Sequence, residues 1–195
     1  MKLKNGTVEN EEIVIDDRLI FNVIGPEIVL KNCVIQSKVP TSALGIRGTL
    51  EDTTIVAKKP LNGFYWYDVS LIRCKFVGKF HNNRFGSRNG SSGLVEQCDF
   101  SQADIDGAVF YSGSVEKHIF PKWPFLVVFV TEDNILQLEK SALKDENVED
   151  VLEHIKVLHK ERKAICYDAR KMAKIFNVSL DDIKRSFSGF DFIKF

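Results

Sequence analysis

Residues of like character return along the first 120 positions of this 195-residue chain at intervals close to twenty, and nothing else in the sequence constrains its fold as tightly. One column aligns Ile13 and Ile15 with Cys33 and Ile35, Thr53 and Ile55, Cys74 and Phe76, and Cys98 and Phe100, at intervals of 20, 20, 21 and 24. A second runs Leu30, Leu50, Leu71 and Val95, always three places earlier, and a third runs Val23, Ala43, Phe64 and Phe85. Periodicity of this length is the mark of a solenoid, in which each repeat is one coil that buries its apolar side only by stacking on its neighbours. Equivalent side chains then lie one strand spacing apart, about 4.8 Å. Short runs rich in Val, Ile, Thr and Phe end at Gly, Pro, Asn or Ser, as strands bounded by turns should. The insertions fall near Asn62-Gly63 and in 83–93, NRFGSRNGSSG, whose composition reads as exposed loop. The competing architecture is a β-sandwich with irregular strand spacing, which has no reason to hold three columns in one register.

The most regular stretch, residues 98–112, reads CDFSQ-ADIDG-AVFYS, three five-residue units with a small residue first and an aromatic or aliphatic residue third. These units resemble the pentapeptide-repeat family, and the resemblance implies coils of four five-residue faces in a right-handed quadrilateral β-helix. Upstream the pattern departs from the family's. Arg18, Lys38, Lys58 and Lys79 stand where the family places a small inward residue, and Pro40 and Pro60 come two places after Lys38 and Lys58. The expectation is therefore a β-solenoid, a right-handed parallel β-helix of about five coils over residues 1–120, with three regular faces and one irregular corner. The segment from Ile119 to Phe125 resembles the stretch C-terminal to the repeats in some uncharacterised bacterial pentapeptide-like proteins, a likeness that implies no activity.

Residues 121–195 change period and predict a capping strand and then a helical unit. Phe125 to Val130 is a continuous apolar run, expected to cover the open end of the solenoid with Trp123 as its plug. Thr131 is placed to cap a helix from Asp133 to about Leu143. Val148, Val151, Leu152, Ile155 and Leu158 recur at helical spacing, as do Ile165, Ala169, Met172, Ala173 and Phe176. A last helix begins at Ser179 with Asp182 in the capping-box position. The tail Phe187, Phe190, Phe192, Ile193 and Phe195 is too apolar to be solvated, so it packs on the body or forms a homodimer contact.

The charge pattern narrows the function classes. Lys plus Arg and Asp plus Glu are 27 each, and dividing the chain after Phe120 leaves 14 of each before it and 13 of each after it, so no global field points to nucleic acid. No apolar stretch of signal-peptide length comes after the N-terminal lysines, and the run Trp123 to Val130 is too short to span a bilayer, which predicts a soluble cytoplasmic protein with no membrane association. Cys74 and Cys98, on adjacent coils, are expected as packed free thiols in such a compartment. Within the helical unit, Glu132 to Glu153 holds eight acids against two lysines, and His154 to Lys174 seven lysines and arginines against two acids. These stretches should lie against each other or flank a charged partner.

Two surface sites stand out. Arg18, Lys38, Lys58 and Lys79 would stack into a basic ladder able to receive an anionic partner. In Phe64-Tyr65-Trp66-Tyr67 alternate residues face outward, leaving Tyr65 and Tyr67 as a binding pair of the kind found in sugar-binding grooves. The four histidines are scattered, no Cys or His pair has zinc-ligand spacing, and no Gly-rich phosphate loop is present, so neither metal nor cofactor is expected. No two carboxylates come together on the aromatic flank, and a catalytic role is not expected. Ala173, Asn177 and Ile183 have the spacing of a helix-turn-helix, but Asp181 and Asp182 open the helix that would meet phosphate. The reading is a non-enzymatic scaffold that binds a partner protein, immunity-like or regulatory. A carbohydrate-binding or polysaccharide-active β-helix is the first alternative and a DNA-binding regulator the second.

Overall fold

The computed structural model describes residues 1–88, 93–142, 145–157 and 161–195. Part of the predicted loop at 83–93, the end of the first helix near Leu143 and the position of Leu158 lie outside the described residues. The N-terminal part is a parallel β-solenoid of five coils with three faces. The first face carries Lys2–Leu3, Asn22–Ile24, Leu44–Ile46, Tyr65–Trp66, Arg84–Phe85 and Val109–Phe110. The second carries Gly6–Glu9, Ile28–Lys31, Gly48–Glu51, Val69–Ile72 and Val95–Glu96, and the third Glu12–Ile15, Val34–Ser37, Thr54–Ala57, Lys75–Lys79 and Asp99–Asp104. The irregular corner joins the third face to the first.

The observed register keeps most of the expected columns and corrects two. Leu30, Leu50, Leu71 and Val95 are direct partners on the second face. Ile35, Ile55 and Phe76 are partners on the third, preceded by Cys33, Thr53 and Cys74. The first interval, however, is 22 residues rather than 20, because Ile13 pairs with Ile35 and Ile15 with Ser37. Val23 likewise pairs with Gly45 rather than Ala43, and Phe85 with Trp66 rather than Phe64. The extra residues sit in the corner Asp16–Phe21, where buried Asn22 donates to the carbonyls of Asp17, Ile20 and Ala43. One side chain thereby satisfies backbone groups that an irregular corner leaves out of the ladder.

Inside the coils the core changes from aliphatic to aromatic. Ile35 and Ile55 give way to Phe76 and Phe100, whose rings stack at 4.7 Å, and Phe120 continues the row at 6.1 Å. A parallel row runs from Trp66 to Phe85 at 5.9 Å and on to Phe110 at 4.9 Å. The pentad stretch keeps to its pattern in burial, since Cys98, Phe100, Ala103, Ile105, Ala108 and Phe110 are all buried. Cys33, Cys74 and Cys98 are free thiols pointing at backbone carbonyls, as Thr53 does with its hydroxyl.

The end of the solenoid is closed differently from the expectation. The strand that docks on Val109–Phe110 is Ala164–Asp168, antiparallel, and Phe125–Phe129 pairs outside it. Ile165 is therefore in a strand, and helix α3 begins at Ala169 (Ala169–Phe176). Trp123 is no plug: half-buried, it meets Phe195 and Lys184 at the edge of the cap. Phe120, Val127, Ala164 and Cys166 close the solenoid core instead. The Phe-rich tail returns as the strand Ile193–Lys194 on Phe125–Phe129, burying Phe192 and Ile193.

Helices α1 (Glu132–Ala142), α2 (Glu146–Val157), α3 and α4 (Leu180–Phe187) bury a second core against the outer side of this extended sheet. Their starts obey the expected chemistry. The Thr131 hydroxyl accepts the Asn134 amide, and Ser179 and Asp182 form a complete capping box. Asn177, at φ 55°, gives the left-handed turn between α3 and α4.

Substitutions in the core and on the surface should separate sharply. Phe100→Asp or Phe110→Asp places an unpaired charge in the aromatic rows and should cost at least about 3 kcal/mol, abolishing the cooperative melt in calorimetry. Tyr65→Ala, on the surface, should change stability by less than about 1 kcal/mol. Buried His118 accepts the Cys98 amide on Nδ1, and its Nε2 has no partner among the described residues. Burial pulls its pKa down from 6.5 to about 4, against a smaller upward pull from Glu116. Between those values the unfolded chain binds the proton and the folded chain does not, so stability falls as pH drops from 6.5 toward 4, by at most about 3 kcal/mol. His118→Gln retains an acceptor without titrating. Its denaturant midpoint should fall less over that interval than the parent's, and parallel profiles would refute the assignment.

Candidate functional site

The first face is continuous except at one place. Leu44–Ile46 ends one set of paired strands and Tyr65–Trp66 begins the next. A groove of about 340 Å³ opens there, lined by Thr41, Leu44, Arg47, Phe64, Tyr65, Tyr67 and Asp68 among others. Gly48, at φ 109°, turns the chain beside it and donates to the Asp68 carbonyl; a Cβ at this position would collide with the Ile28 carbonyl. Arg47 lies 3.6 Å from Asp68 in an exposed pair across the groove.

Strand alternation places Phe64 and Trp66 inside and Tyr65 and Tyr67 outside, with ring centroids 5.2 Å apart at 57°. Tyr65 is paired in register with Arg84, and Arg84 with Val109. The helices cover Val109 but leave Tyr65 51% exposed, so the flank lies where the helical layer ends. The Arg84 guanidinium stands 5.1 Å over the Tyr65 ring and hydrogen-bonds to the Tyr67 phenol, which raises its pKa. Tyr67 meets Tyr111 edge-on at 6.3 Å, and Arg88 lies 5.4 Å over the Tyr111 ring. Arg162 donates to Tyr111 from beneath the surface, and burial lowers its pKa. The site thus holds three guanidinium groups and three phenols, joined by cation–π contacts and hydrogen bonds, and none of these arginines has a carboxylate partner among the described residues.

Tyr65 and Tyr67 were legible from alternation; Arg84, Arg88, Tyr111 and Arg162 were not. The Arg84 to Tyr65 relation comes from the 19-residue pairing of their strands, shorter than the spacing elsewhere. Arg162 arrives only through the antiparallel return of Ala164–Asp168.

The basic ladder lies on a different edge. Lys58 and Lys79 come directly after the paired residues Ala57 and Gly78, and Lys38 and Lys58 after Ser37 and Ala57, so these three lysines stack, all exposed. Asp16, not Arg18, heads the column, because the 22-residue first interval puts Asp16 opposite Lys38 and leaves Arg18 exposed in the corner loop. Asp104 ends it opposite Lys79 and stands 2.8 Å from His81. Glu51 and Asp52 pair with Arg73 rather than with the column.

A second cleft of about 300 Å³ lies between the solenoid corner at Asp106, helix α2 and helix α3. Four of its polar groups are matched in pairs: Lys171 with Asp106 at 2.6 Å, and His154 Nδ1 with the Tyr167 hydroxyl at 2.9 Å. Asp168 caps α3 and pairs with Arg170. Among the described residues no group of three or more His, Cys, Asp or Glu is placed to hold a metal ion. No helix among them is long and apolar enough to cross a membrane. Compared with protein-family models, curated proteins and solved structures, the chain matches none.

Proposed function

We propose that this protein is a non-enzymatic scaffold that binds an acidic partner protein through the tyrosine–arginine flank, as an immunity-like or regulatory binder that occludes its partner. The observation that carries the reading is the flank itself: Tyr65, Tyr67 and Tyr111 interleaved with Arg84, Arg88 and Arg162, Tyr65 and Arg84 on paired strands and the other four on the segments beside them, the residue types that dominate binding energy at protein interfaces. Paired strands hold Tyr65 and Arg84 at fixed spacing, so little backbone freedom is lost there on binding. Phenols and guanidinium groups supply the contact area and hydrogen-bond donors that a binding surface uses. The burial of the first and third residue of each pentad supports kinship with pentapeptide-repeat proteins, and the balanced charge suits a cytoplasmic binder.

The alternatives have weaker support. The Tyr65 and Tyr67 rings are tilted rather than coplanar, which suits a sugar platform poorly. In the helix-turn-helix-like segment, Asp182 caps α4 and binds Arg185, and Lys184 sits over the Trp123 ring, so the basic residues of that helix are engaged within the chain. Of the tail that suggested a homodimer, Phe187, Phe192 and Ile193 are buried against the body of the chain and Phe190 and Phe195 are half-buried.

The test is affinity capture from a bacterial lysate with three baits: the parent chain, Tyr65→Ala with Arg84→Ala, and Lys58→Ala. One protein held by the parent and by Lys58→Ala, and lost from the double variant, is the expected result. Identical retention by all three baits overturns the reading. Retention of a glycan on an array, lost on Tyr65→Ala, would move the function to the carbohydrate class.

A further inference from the structure

We propose that Arg162, Arg88 and Arg84 form an oxyanion site, taking the carboxylate of a partner's acidic side chain or a phosphate; the assignment rests on the flank being a binding face. Arg162 is the group that requires it. The residue is 5% exposed, its Nε and Nη1 have no hydrogen-bond partner among the described residues, and no carboxylate there lies within ion-pair distance. A guanidinium keeps its charge in a protein, so burial cannot be relieved by loss of a proton. A buried cation is tolerated when a counter-charge and hydrogen bonds meet it. The groups that meet Arg162 are phenols instead. Tyr111 accepts one of its N–H groups, and Tyr167 lies nearby with its own pKa pushed up by burial; a phenol offers an acceptor but not the fixed counter-charge of a carboxylate.

The surroundings add cations. Arg84 is close enough for its charge to disfavour the charged form of Arg162, and Arg88, whose Nε also lacks a partner, stacks over the face of Tyr111. Three guanidinium groups share one aromatic frame, with donors left over and no acid among the described residues to receive them. Planar guanidinium donors match the planar carboxylate and the faces of phosphate. The site takes an oxyanion for that reason and not an apolar or cationic group.

His154 is a built-in reporter. Its imidazole is held below the ordinary pKa by burial first and by the charge of Arg162 second. The groups facing it in its cleft are Tyr167, Asp106, Asp150, Asp168 and Lys171. An anion bound at Arg162 offsets the second effect and leaves the first, so His154 should titrate at higher pH in the complex.

The experiment is calorimetric and NMR titration of the full chain, in low-chloride buffer, with inorganic phosphate in one arm and a glutamate-rich peptide in the other. Sodium chloride at matched ionic strength is the control. The expected result is saturable binding in at least one arm, a higher melting temperature than chloride gives, and an upward move of the His154 titration. Response to phosphate alone assigns a free anion; response to the peptide assigns a partner carboxylate. Arg162→Met should weaken binding by at least about tenfold. In anion-free buffer it should melt no lower than the parent, because it removes an uncompensated buried charge. Arg88→Ala, half-buried at the surface, should also weaken binding, and it carries the test should Arg162→Met misfold. No saturable response to either anion beyond chloride, or equal responses in the parent and Arg88→Ala, overturns the site. Tyr65-dependent partner capture with no anion response overturns this inference alone, and anion binding without any captured partner overturns the scaffold reading alone.

Discussion

Five backbone positions in the left-handed region hold the solenoid in register. Asn10, Asn32, Asp52, Arg73 and Gln97, with φ between 50° and 60°, turn the chain between the second and third faces in every coil. Asn and Asp tolerate this conformation; Arg73 and Gln97 adopt it at a cost of about 1 kcal/mol each. The amide of each of the first four reaches a carbonyl of the next coil, Asn10 to Lys31, Asn32 to Glu51, Asp52 to Ile72 and Arg73 to Glu96. The turn therefore serves the inter-coil ladder as well as the bend. Immediately after it, in every coil but the first, a small side chain points inward, Cys33, Thr53, Cys74 or Cys98, and its thiol or hydroxyl is directed at a nearby carbonyl. Bend, small residue and inward aliphatic or aromatic residue form one unit, and stacking that unit generates the core.

Parallel stacking leaves an unpaired edge at each end, and the C-terminal end also leaves an aromatic core in need of cover. At the C-terminal end of the first face the chain meets both requirements by reversing direction. Ala164–Asp168 pairs antiparallel with the last strand of the first face, Phe125–Phe129 and Ile193–Lys194 extend it, and their inward residues complete the solenoid core while their outward residues found the second one. The two cores share a sheet. The outer side of that sheet passes from helix-covered at Val109 and Ile165 to open at Tyr65, and the boundary between the two is where the arginines gather.

Much of the solenoid was readable because its interactions are nearest-neighbour and repeat at one interval. Leu30 to Val95 aligned correctly, and so did Cys33 to Cys98. The first coil misled because Ile13 and Ile15 fit a 20-residue interval as well as a 22-residue one, apolar residues being alternate in any strand. The turn column held the missing signal: Asn10 and Asn32 are 22 apart, and Asn at a repeated turn reports backbone conformation rather than mere apolarity. In the cap, the apolar Ile165 and Ala169 fitted a helix, yet Asp168 is the N-cap of α3 and the residues before it are a strand buried on both sides. Continuous burial erases the alternation that would have distinguished them.

The amino-acid sequence by itself determined the coil length, most inward columns, the helix caps at Thr131 and Ser179 and the outward direction of Tyr65 and Tyr67, because each depends on local geometry or on a fixed repeat. Only the tertiary structure decided which strand closes the solenoid, that Asp16 rather than Arg18 faces Lys38, and that Arg162 is buried beside Tyr111 with Arg84 and Arg88 around it. Those outcomes turn on contacts between residues that no period relates, and burial of a charge is a property of the whole surrounding surface rather than of the residues next to it in the chain.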